Sequence, residues 1–251
     1  WDAINEETLR HFRALLQFDT SDPPGRELPA AEYIRDVLEA EGFEVEMLAN
    51  NDERPNVVTR LKGNGSKEPL LIMAHTDTVN VDPAKWTFPP FSATVDGGYV
   101  YGRGAVDDKD NLAAGLMVML ELKRQGIKLD RDVIFLAESG EEGATEFGIE
   151  FMINEHFDKI ESEFCLAEGG SVARVNREVQ YAGIQSVEKI PYQINLTATG
   201  VAGHGSVPLQ TNPVVRLAKA MAAVADWPSP IRLNETTAAY FERLAGISPP
   251  D

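Results

Sequence analysis

The 251-residue sequence has a single cysteine and no long apolar run. With only Cys165, no disulfide can form within the chain, and its place in the apolar run Phe164–Ala167 predicts a buried, unreactive thiol. No stretch approaches the roughly 18 apolar residues of a transmembrane helix, and no signal peptide is recognisable. The sequence therefore leaves the cellular location open.

Basic residues are scarce relative to acidic ones. There are 23 lysines and arginines against 40 aspartates and glutamates, which gives a net charge of -17. Such a chain suits neither nucleic acid nor an anionic membrane, so we expect neither as a partner. The simplest explanation of the charge is a solvated acidic surface, and the alternative is that bound cations neutralise a few of the carboxylates.

Hydrophobic periodicity predicts an α/β fold in which helices flank a mostly parallel sheet. The predicted helices of the first part are Ile4–Phe18, Ala30–Glu41, Leu112–Arg124 and Thr145–Phe157. The predicted strands are Phe43–Leu48, Asn56–Leu61, Leu70–Ala74, Asp132–Ala137 and Phe164–Ala167, of which the last three are continuous apolar runs typical of buried strands.

The pattern changes after about Glu188. Pro191–Thr199 alternates between apolar and polar residues, which predicts a half-exposed strand, and Asn212–Val224 is a predicted helix. We therefore predict a first domain over residues 1–186 and the start of a smaller α+β domain over residues 187–251.

Acidic residues and one histidine follow the ends of the apolar runs. They are His75 and Asp77 in LLIMAHTDTV, Asp107 in YGRGAVDDKD, Glu141 and Glu142 in VIFLAESGEEG, and Glu168 in FCLAEGG. The carboxyl ends of neighbouring parallel strands meet at one edge of a sheet, so these side chains are predicted to lie together. Carboxylates with an imidazole suit a pair of divalent metals, and this points to metal-assisted hydrolysis of an amide bond.

Each motif also has an explanation without metal. His75 and Asp77 suit a surface turn, although at a strand end one ring nitrogen of His75 can bind a metal while Asp77 accepts the other N–H. An aspartate among 107, 108 and 110 suits either helix capping or a bridge between two cations. Glu141 and Glu142 suit a solvated acidic loop, or a pair that points toward metal and substrate.

Taken together, HTDTV, GRGAVDDK, ESGEEG and AEGG resemble, in order and spacing, the M20 family of co-catalytic zinc metallopeptidases, and GVAGHGSVP adds a match further along. That family includes aminoacylases, glutamate-type carboxypeptidases, dipeptidases and succinyl-diaminopimelate desuccinylases. The resemblance runs from the N-terminal helices to about Leu217. It implies a zinc-peptidase-like sheet in residues 1–186, the N-terminal part of a catalytic metal-binding domain, and a partial lid (dimerisation) domain in residues 187–251.

The resemblance also implies roles for single residues. The implied metal ligands are His75, Asp107, Glu142 and Glu168. Asp107 would bridge two Zn²⁺ ions, with Co²⁺ or Mn²⁺ as alternatives, Asp77 would orient the histidine, and Glu141 would be the general base. His204 would reach across a homodimer to polarise the substrate carbonyl, whereas without the resemblance it is a solvent-exposed loop histidine. A glutamate at position 168 is similar to the aminoacylase, carboxypeptidase and desuccinylase branches.

Members of the family are longer than this sequence. They return from the lid to the catalytic domain and supply a second-metal histidine near the C-terminus, while His11 and His156 here lie on predicted helices and match no ligand position. We therefore expect a C-terminally incomplete chain, a weak second-metal site, and little activity from this polypeptide alone.

The expected function is hydrolysis of a peptide or N-acyl amino acid amide bond through a metal-bridging water, by a homodimer that pairs through the lid. The alternative is a non-catalytic fragment or metal-binding module that keeps the fold. A single-metal phosphatase or nuclease is disfavoured, because only Arg103 and Lys109 supply positive charge near the motifs.

Overall fold

The computed structural model describes residues 2–190 and 192–248. The chain divides into two units, Trp1–Glu168 and Gly169–Asp251. The hairpin that directly follows Glu168 belongs to the second unit, so this division falls before the domain boundary predicted at residues 186 and 187. No helix among the described residues is long and apolar enough to span a bilayer.

The first unit contains five helices and nine strands among its described residues. The helices are α1 (Asp2–Leu16), α2 (Leu28–Ala40), α3 (Lys109–Arg124), α4 (Ile149–Glu155) and α5 (Phe157–Ile160). The strands are β1 (Ser21–Asp22), β2 (Val45–Leu48), β3 (Asn56–Leu61), β4 (Leu70–His75), β5 (Thr78–Val79), β6 (Thr94–Asp96), β7 (Tyr99–Tyr101), β8 (Val133–Glu138) and β9 (Phe164–Leu166). A single 3₁₀ turn spans Pro83–Lys85.

The predicted α/β class, a sheet flanked by helices, is confirmed. The main sheet has the strand order β2-β3-β8-β4-β9 and is mixed rather than mostly parallel as predicted. β4 pairs in parallel with β8 and β9, whereas β2 and β3 form an antiparallel hairpin that continues antiparallel onto β8. β2 and β3 are antiparallel because the connection between them, residues 49–55, is too short for the crossover that parallel neighbours require.

The two faces of the sheet carry separate hydrophobic cores. On β8, Phe135 belongs to the core under α1, α2 and α3, while the neighbouring Ile134 and Leu136 belong to the core under α4 and α5. This alternation follows from the two-residue repeat of a strand. Gly115 lets α3 approach the sheet closely, since a Cβ there would lie 2.8 Å from the Phe135 ring.

The prediction that Phe164–Ala167 is a buried strand is wrong. β9 lies at the edge of the sheet, with Phe164 and Leu166 more than half exposed, and Cys165 is exposed as well. An apolar run predicts a strand correctly here, but its burial requires a neighbour on the outer side, and none pairs there within the described residues.

The second unit contains a hairpin and two helices among its described residues. These are β10 (Ser171–Val175), β11 (Glu178–Gly183), α6 (Pro213–Ala225) and α7 (Glu235–Ala245). The predicted strand over Pro191–Thr199 is wrong for residues 192–199, which form no ladder, and Pro191 lies outside the described residues. Alternation alone does not make a strand without a pairing partner. The side chain of Asn212 caps α6 by accepting the Val214 N–H.

Candidate metal centre

His75 is the last residue of β4, and it is only 1% exposed. Its Nδ1 lies 3.0 Å from the backbone oxygen of Asp77 and 3.4 Å from the Oδ1 of the same residue. A carbonyl oxygen only accepts, so Nδ1 donates this hydrogen bond. This hydrogen bond fixes the ring and leaves Nε2 directed toward the carboxylates of the cluster. A metal-binding histidine is usually oriented in the same way.

The Nε2 atom of His75 faces three carboxylates. It lies 3.0 Å from Asp107 Oδ1, 3.6 Å from Glu168 Oε2 and 3.9 Å from Glu141 Oε2. These acids come from three different segments: the loop before α3, the segment after β9 and the loop after β8. The parallel arrangement of β4, β8 and β9 accounts for the convergence, because their carboxyl ends share one edge of the sheet.

Asp77 ties the histidine loop to the acidic loop after β8. Its side chain is fully buried, and its two oxygens accept the backbone N–H groups of Glu141 at 3.1 Å and Glu142 at 3.0 Å. The Oε1 of Glu142 in turn accepts the Val79 N–H at 3.3 Å. One buried carboxylate therefore fixes the backbone beneath both acidic side chains, a contact that the sequence did not predict.

Among the residues that the structure describes, two groups of side chains are close enough to hold a metal ion. They are His75 with Asp107 and Glu142, and His75 with Asp108 and Glu168; within each group the ligand atoms lie within 4.8 Å of one another. The predicted ligands are thus brought together by the structure. Asp108 is an additional member that the sequence left open.

The two neighbouring aspartates differ in their surroundings. Asp108 is fully buried, and its oxygens accept the His75 N–H at 3.2 Å and the Asn111 side-chain amide at 2.6 Å. It is the N-cap residue of α3, but its side chain makes no capping hydrogen bond. The side chain of Asp107 is 62% exposed. Asp107 is therefore better placed to bind a cation, while Asp108 secures the loop to β4.

The electrostatics of the cluster fit a cation site. Burial by itself would lower the pKa of His75, but Asp77 and the neighbouring aspartates raise it to about 10. Burial raises the pKa of Glu168 to about 7 and that of Glu138 to about 8. Burial also raises the pKa of Asp108 and of Glu142. Several acids share one imidazole in this cluster, so it carries an excess of negative charge once the acids are ionised, and divalent cations relieve such an excess.

Sequence reasoning missed two buried ionisable groups near the cluster. Lys109 is fully buried, with its Nζ donating to the Phe18 backbone oxygen at 2.9 Å. Glu138 is 4% exposed, and its Oε2 has no hydrogen-bond partner among the described residues. The sequence indicated exposure for both residues. A lysine beside aspartates, as in GRGAVDDK, and a glutamate close to other glutamates, as in ESGEEG, are typical of solvated loops.

His204 lies in the second unit, in an exposed turn. Its Nδ1 is 2.7 Å from the Ser206 hydroxyl and accepts the Ser206 backbone N–H at 3.2 Å. These contacts agree with the loop histidine described from sequence alone. Its role in polarising a substrate carbonyl stays a prediction.

A cavity of about 440 Å³ lies beside the paired β1 and β5 in the first unit. Its lining includes Asp19, Ser21, Arg26, Asn80, Pro90 and Phe91. The volume is in the range of small-molecule pockets. Asn80, which lines this cavity, directly follows Val79, whose backbone N–H donates to Glu142 Oε1 at 3.3 Å.

Comparison with known proteins gives a consistent result. Residues 71–248 match the model of peptidase family M20/M25/M40. A probable succinyl-diaminopimelate desuccinylase from Staphylococcus aureus is 32% identical over 206 residues, which cover 81% of this chain and 47% of that protein. An N-formyl-4-amino-5-aminomethyl-2-methylpyrimidine deformylase from Halalkalibacterium halodurans is 39% identical over 145 residues, or 56% of this chain and 34% of that protein.

A solved structure is similar as well. The M20 family metallo-carboxypeptidase from Sulfolobus solfataricus aligns with a TM-score of 0.58 and 28% identity, over 66% of this chain and 38% of that one. The chain therefore spans a third to a half of the length of these relatives. The matches confirm the resemblance that the motifs predicted.

Proposed function

We propose that this chain, which belongs to peptidase family M20/M25/M40, carries the metal-binding part of a hydrolase that cleaves a peptide or N-acyl amino acid amide bond. The observation that supports this most directly is the convergence of Asp107, Glu141 and Glu168 on the Nε2 of His75. The names of the two curated relatives describe removal of a formyl and of a succinyl group, and we extend that chemistry, acyl removal from nitrogen, to this chain.

The residues that would hold the metal are His75, Asp107, Glu142 and Glu168, and Asp107 would serve both ions. One imidazole and several carboxylates suit Zn²⁺, which we favour, and also Co²⁺ or Mn²⁺. When bound, the ions would act as Lewis acids and lower the pKa of an attacking water toward ~7.

Glu141 is the proposed general base. Its backbone is fixed by the Asp77 carboxylate, its Oε2 lies 3.9 Å from the His75 Nε2, and its side chain is 41% exposed. It can therefore be reached by a substrate while its position is set by the protein. In this role Glu141 takes a proton from the attacking water and returns it to the leaving amine.

The remaining parts of the proposal rest on sequence resemblance. Residues 1–186 are assigned to the catalytic domain and residues 187–251 to the lid, through which a homodimer forms. His204, in the motif GVAGHGSVP, is assigned to the polarisation of the substrate carbonyl. A small peptide or N-acyl amino acid is the proposed substrate.

The test is metal content and turnover of the longest product of the gene, with matched variants. We expect Glu141→Ala to keep its metal, measured by elemental mass spectrometry, and to lose a factor of ~10² to 10⁴ in rate, the span typical of a positioned acid–base group. Glu142→Ala, one residue away, is expected to lose metal as well as rate.

Two results would contradict the proposal. Near wild-type turnover by Glu141→Ala rejects the role of this residue as the base. Absence of bound metal from the wild-type protein, after exposure to Zn²⁺, rejects the hydrolase and leaves a folded module that binds rather than cleaves.

A further inference from the structure

Lys109 is among the largest fully buried side chains of the described residues. It is the first residue of α3, and its Nζ donates to the Phe18 backbone oxygen at 2.9 Å. Burial lowers the pKa of this amine to about 8. Removing an amine from water is costly, so packing alone does not account for a lysine at this position.

The loop before α3 closes tightly around the Lys109 stem. The Lys109 backbone N–H donates to the Gly104 oxygen at 3.0 Å. Gly104 has a φ of +80°, and a Cβ there would lie 3.1 Å from Lys109 Cδ and 2.9 Å from Thr78 Cγ2. The glycine is therefore required by both its backbone conformation and the close approach of the lysine.

The exposed ligand Asp107 depends on its buried neighbours for its position. The side chain of Asp107 is 62% exposed, whereas Asp108 and Lys109 are fully buried. Asp108 ties the segment to the end of β4 through the His75 N–H, and Lys109 ties it to the chain just after α1 through Phe18. The segment is therefore bonded on one side to β4 and on the other to the chain after α1. Asp107, next to these two residues, lies with its Oδ1 3.0 Å from the His75 Nε2.

We propose that Lys109 is a positioning residue for the metal site: its bond to the Phe18 carbonyl holds the loop that presents Asp107 to His75. This inference rests on the proposed metal site and adds to it a residue that does not itself touch the metal. It predicts that loss of the Lys109 amine weakens metal binding by displacing Asp107.

The charge of Lys109 offers a competing explanation, which predicts the opposite change in metal affinity. Asp19, Asp77 and Glu27 lie close enough for their charges to act on the amine. If its purpose were only to offset these acids, its removal would leave the region more negative and cations would bind more tightly. Positioning predicts weaker binding, so the direction of the change in affinity separates the two roles.

The experiment compares Lys109→Met with Lys123→Met. Methionine keeps the length of the side chain but has neither charge nor donor. Lys123 lies on the same helix and also donates to a backbone oxygen, that of Gly42, but belongs to no ligand group. Zn²⁺ is titrated into the metal-free proteins by calorimetry, and the visible absorption spectrum is recorded with Co²⁺ bound.

We expect Lys109→Met to bind Zn²⁺ roughly 10- to 100-fold more weakly, the usual effect of losing a residue that supports a ligand, and to show an altered Co²⁺ spectrum. Lys123→Met is expected to match the wild type in both. The binding is measured under conditions in which the Lys109→Met protein is folded, as urea denaturation shows. Unchanged or tighter Zn²⁺ binding by this variant would overturn the proposal, even if the variant is less stable than the wild type.

Lys109→Arg covers the case in which Lys109→Met does not fold. Arginine keeps the charge but is longer, so the tightly enclosed loop must shift, and roughly a several-fold loss of Zn²⁺ affinity is expected. Wild-type affinity in this variant would overturn the positioning role. Absence of Zn²⁺ binding by the wild type is a different outcome, since it removes the proposed metal site itself and with it any residue that positions it.

Discussion

The candidate metal centre has an inner and an outer layer that differ in burial. The inner layer consists of His75, Asp77, Asp108 and Lys109, none more than 1% exposed. The outer layer consists of the side chains of Asp107, Glu141 and Glu168, which are 41% to 62% exposed. The inner groups are held by hydrogen bonds to backbone groups of neighbouring segments, whereas the outer groups face one another and the His75 Nε2.

This difference separates stability from function. Removal of an inner group leaves buried donors or charges without partners, which destabilises the fold. Removal of an outer acid relieves repulsion between like charges in the metal-free protein, while it takes away a ligand or the base. Substitutions in the two layers therefore test the division directly.

The largest expected effect is that of Asp77→Ala. It leaves the N–H groups of Glu141 and Glu142 without their acceptor and the buried His75 without its neighbouring carboxylate. We expect the metal-free protein to lose about 3–5 kcal/mol in free energy of unfolding, the usual result of breaking a buried pair. Urea denaturation monitored by circular dichroism measures it.

Glu168→Gln in the outer layer is the comparison for Asp77→Ala. At pH 8 the wild-type carboxyl is largely ionised, since its pKa is about 7, and sits among other acids. The neutral variant is therefore expected to unfold at the same or a slightly higher urea concentration than the wild type. A loss comparable to that of Asp77→Ala would show that the two layers do not differ as described.

Glu138 gives the next largest effect, and it appears as a pH dependence. The pKa of this carboxyl is about 8 in the folded protein, against an ordinary value of 4.5. Between these values the folded protein keeps a proton that the unfolded chain releases, so the stability of the metal-free protein falls as the pH rises through this window. One pKa unit corresponds to about 1.4 kcal/mol, so the total is on the order of a few kcal/mol.

Glu138→Gln removes this part of the pH dependence. We expect the variant to resemble the wild type near pH 4.5 and to be the more stable protein at pH 8 to 9, in thermal unfolding of metal-free samples. The raised pKa of His75 contributes a further decline between its ordinary value and about 10, and that part is common to both proteins. Parallel stability curves for the two proteins across the whole range would contradict the burial of an unpartnered acid here.

The sequence predicted the outer layer well and the inner layer only in part. Strand β3 begins and ends where its pattern predicted, at Asn56 and Leu61, and the acids after β8 and β9 were located because sheet topology alone brings them to one edge. The burial of Lys109 depends instead on a contact with Phe18, 91 residues earlier in the chain. Local patterns carry no information about such long-range contacts, so a charged residue there is assigned to the surface.

The same limit explains the errors away from the site. The apolar run at Phe164 predicted a strand correctly, but whether that strand is buried depends on its neighbours in the sheet. Alternation over residues 192–199 predicted a strand that has no partner there. In each case the local preference was read correctly and the outcome was decided by another segment.

The smallest expected effect sharpens the comparison further, because each layer contributes its own proton to metal binding. A metal ligand must be deprotonated, so binding releases the protons that the metal-free ligands hold. With pKa values of about 10 for His75 and about 7 for Glu168, both hold protons at pH 6, whereas only the histidine does at pH 8.5. Zn²⁺ affinity should therefore rise with pH, by about tenfold per pH unit for each proton released, or ~1.4 kcal/mol.

Calorimetric Zn²⁺ titrations in buffers of different ionisation enthalpy count these protons. In a Glu138→Gln background, which removes a titrating group that is not a proposed ligand, we expect proton release to fall by about one between pH 6 and pH 8.5. Adding Glu168→Gln should make proton release equal at the two pH values. The proton of His75, in the inner layer, would still be released, whereas the outer layer would no longer release one. Equal proton release at both pH values in the Glu138→Gln protein would contradict this assignment of one proton to Glu168 and one to His75.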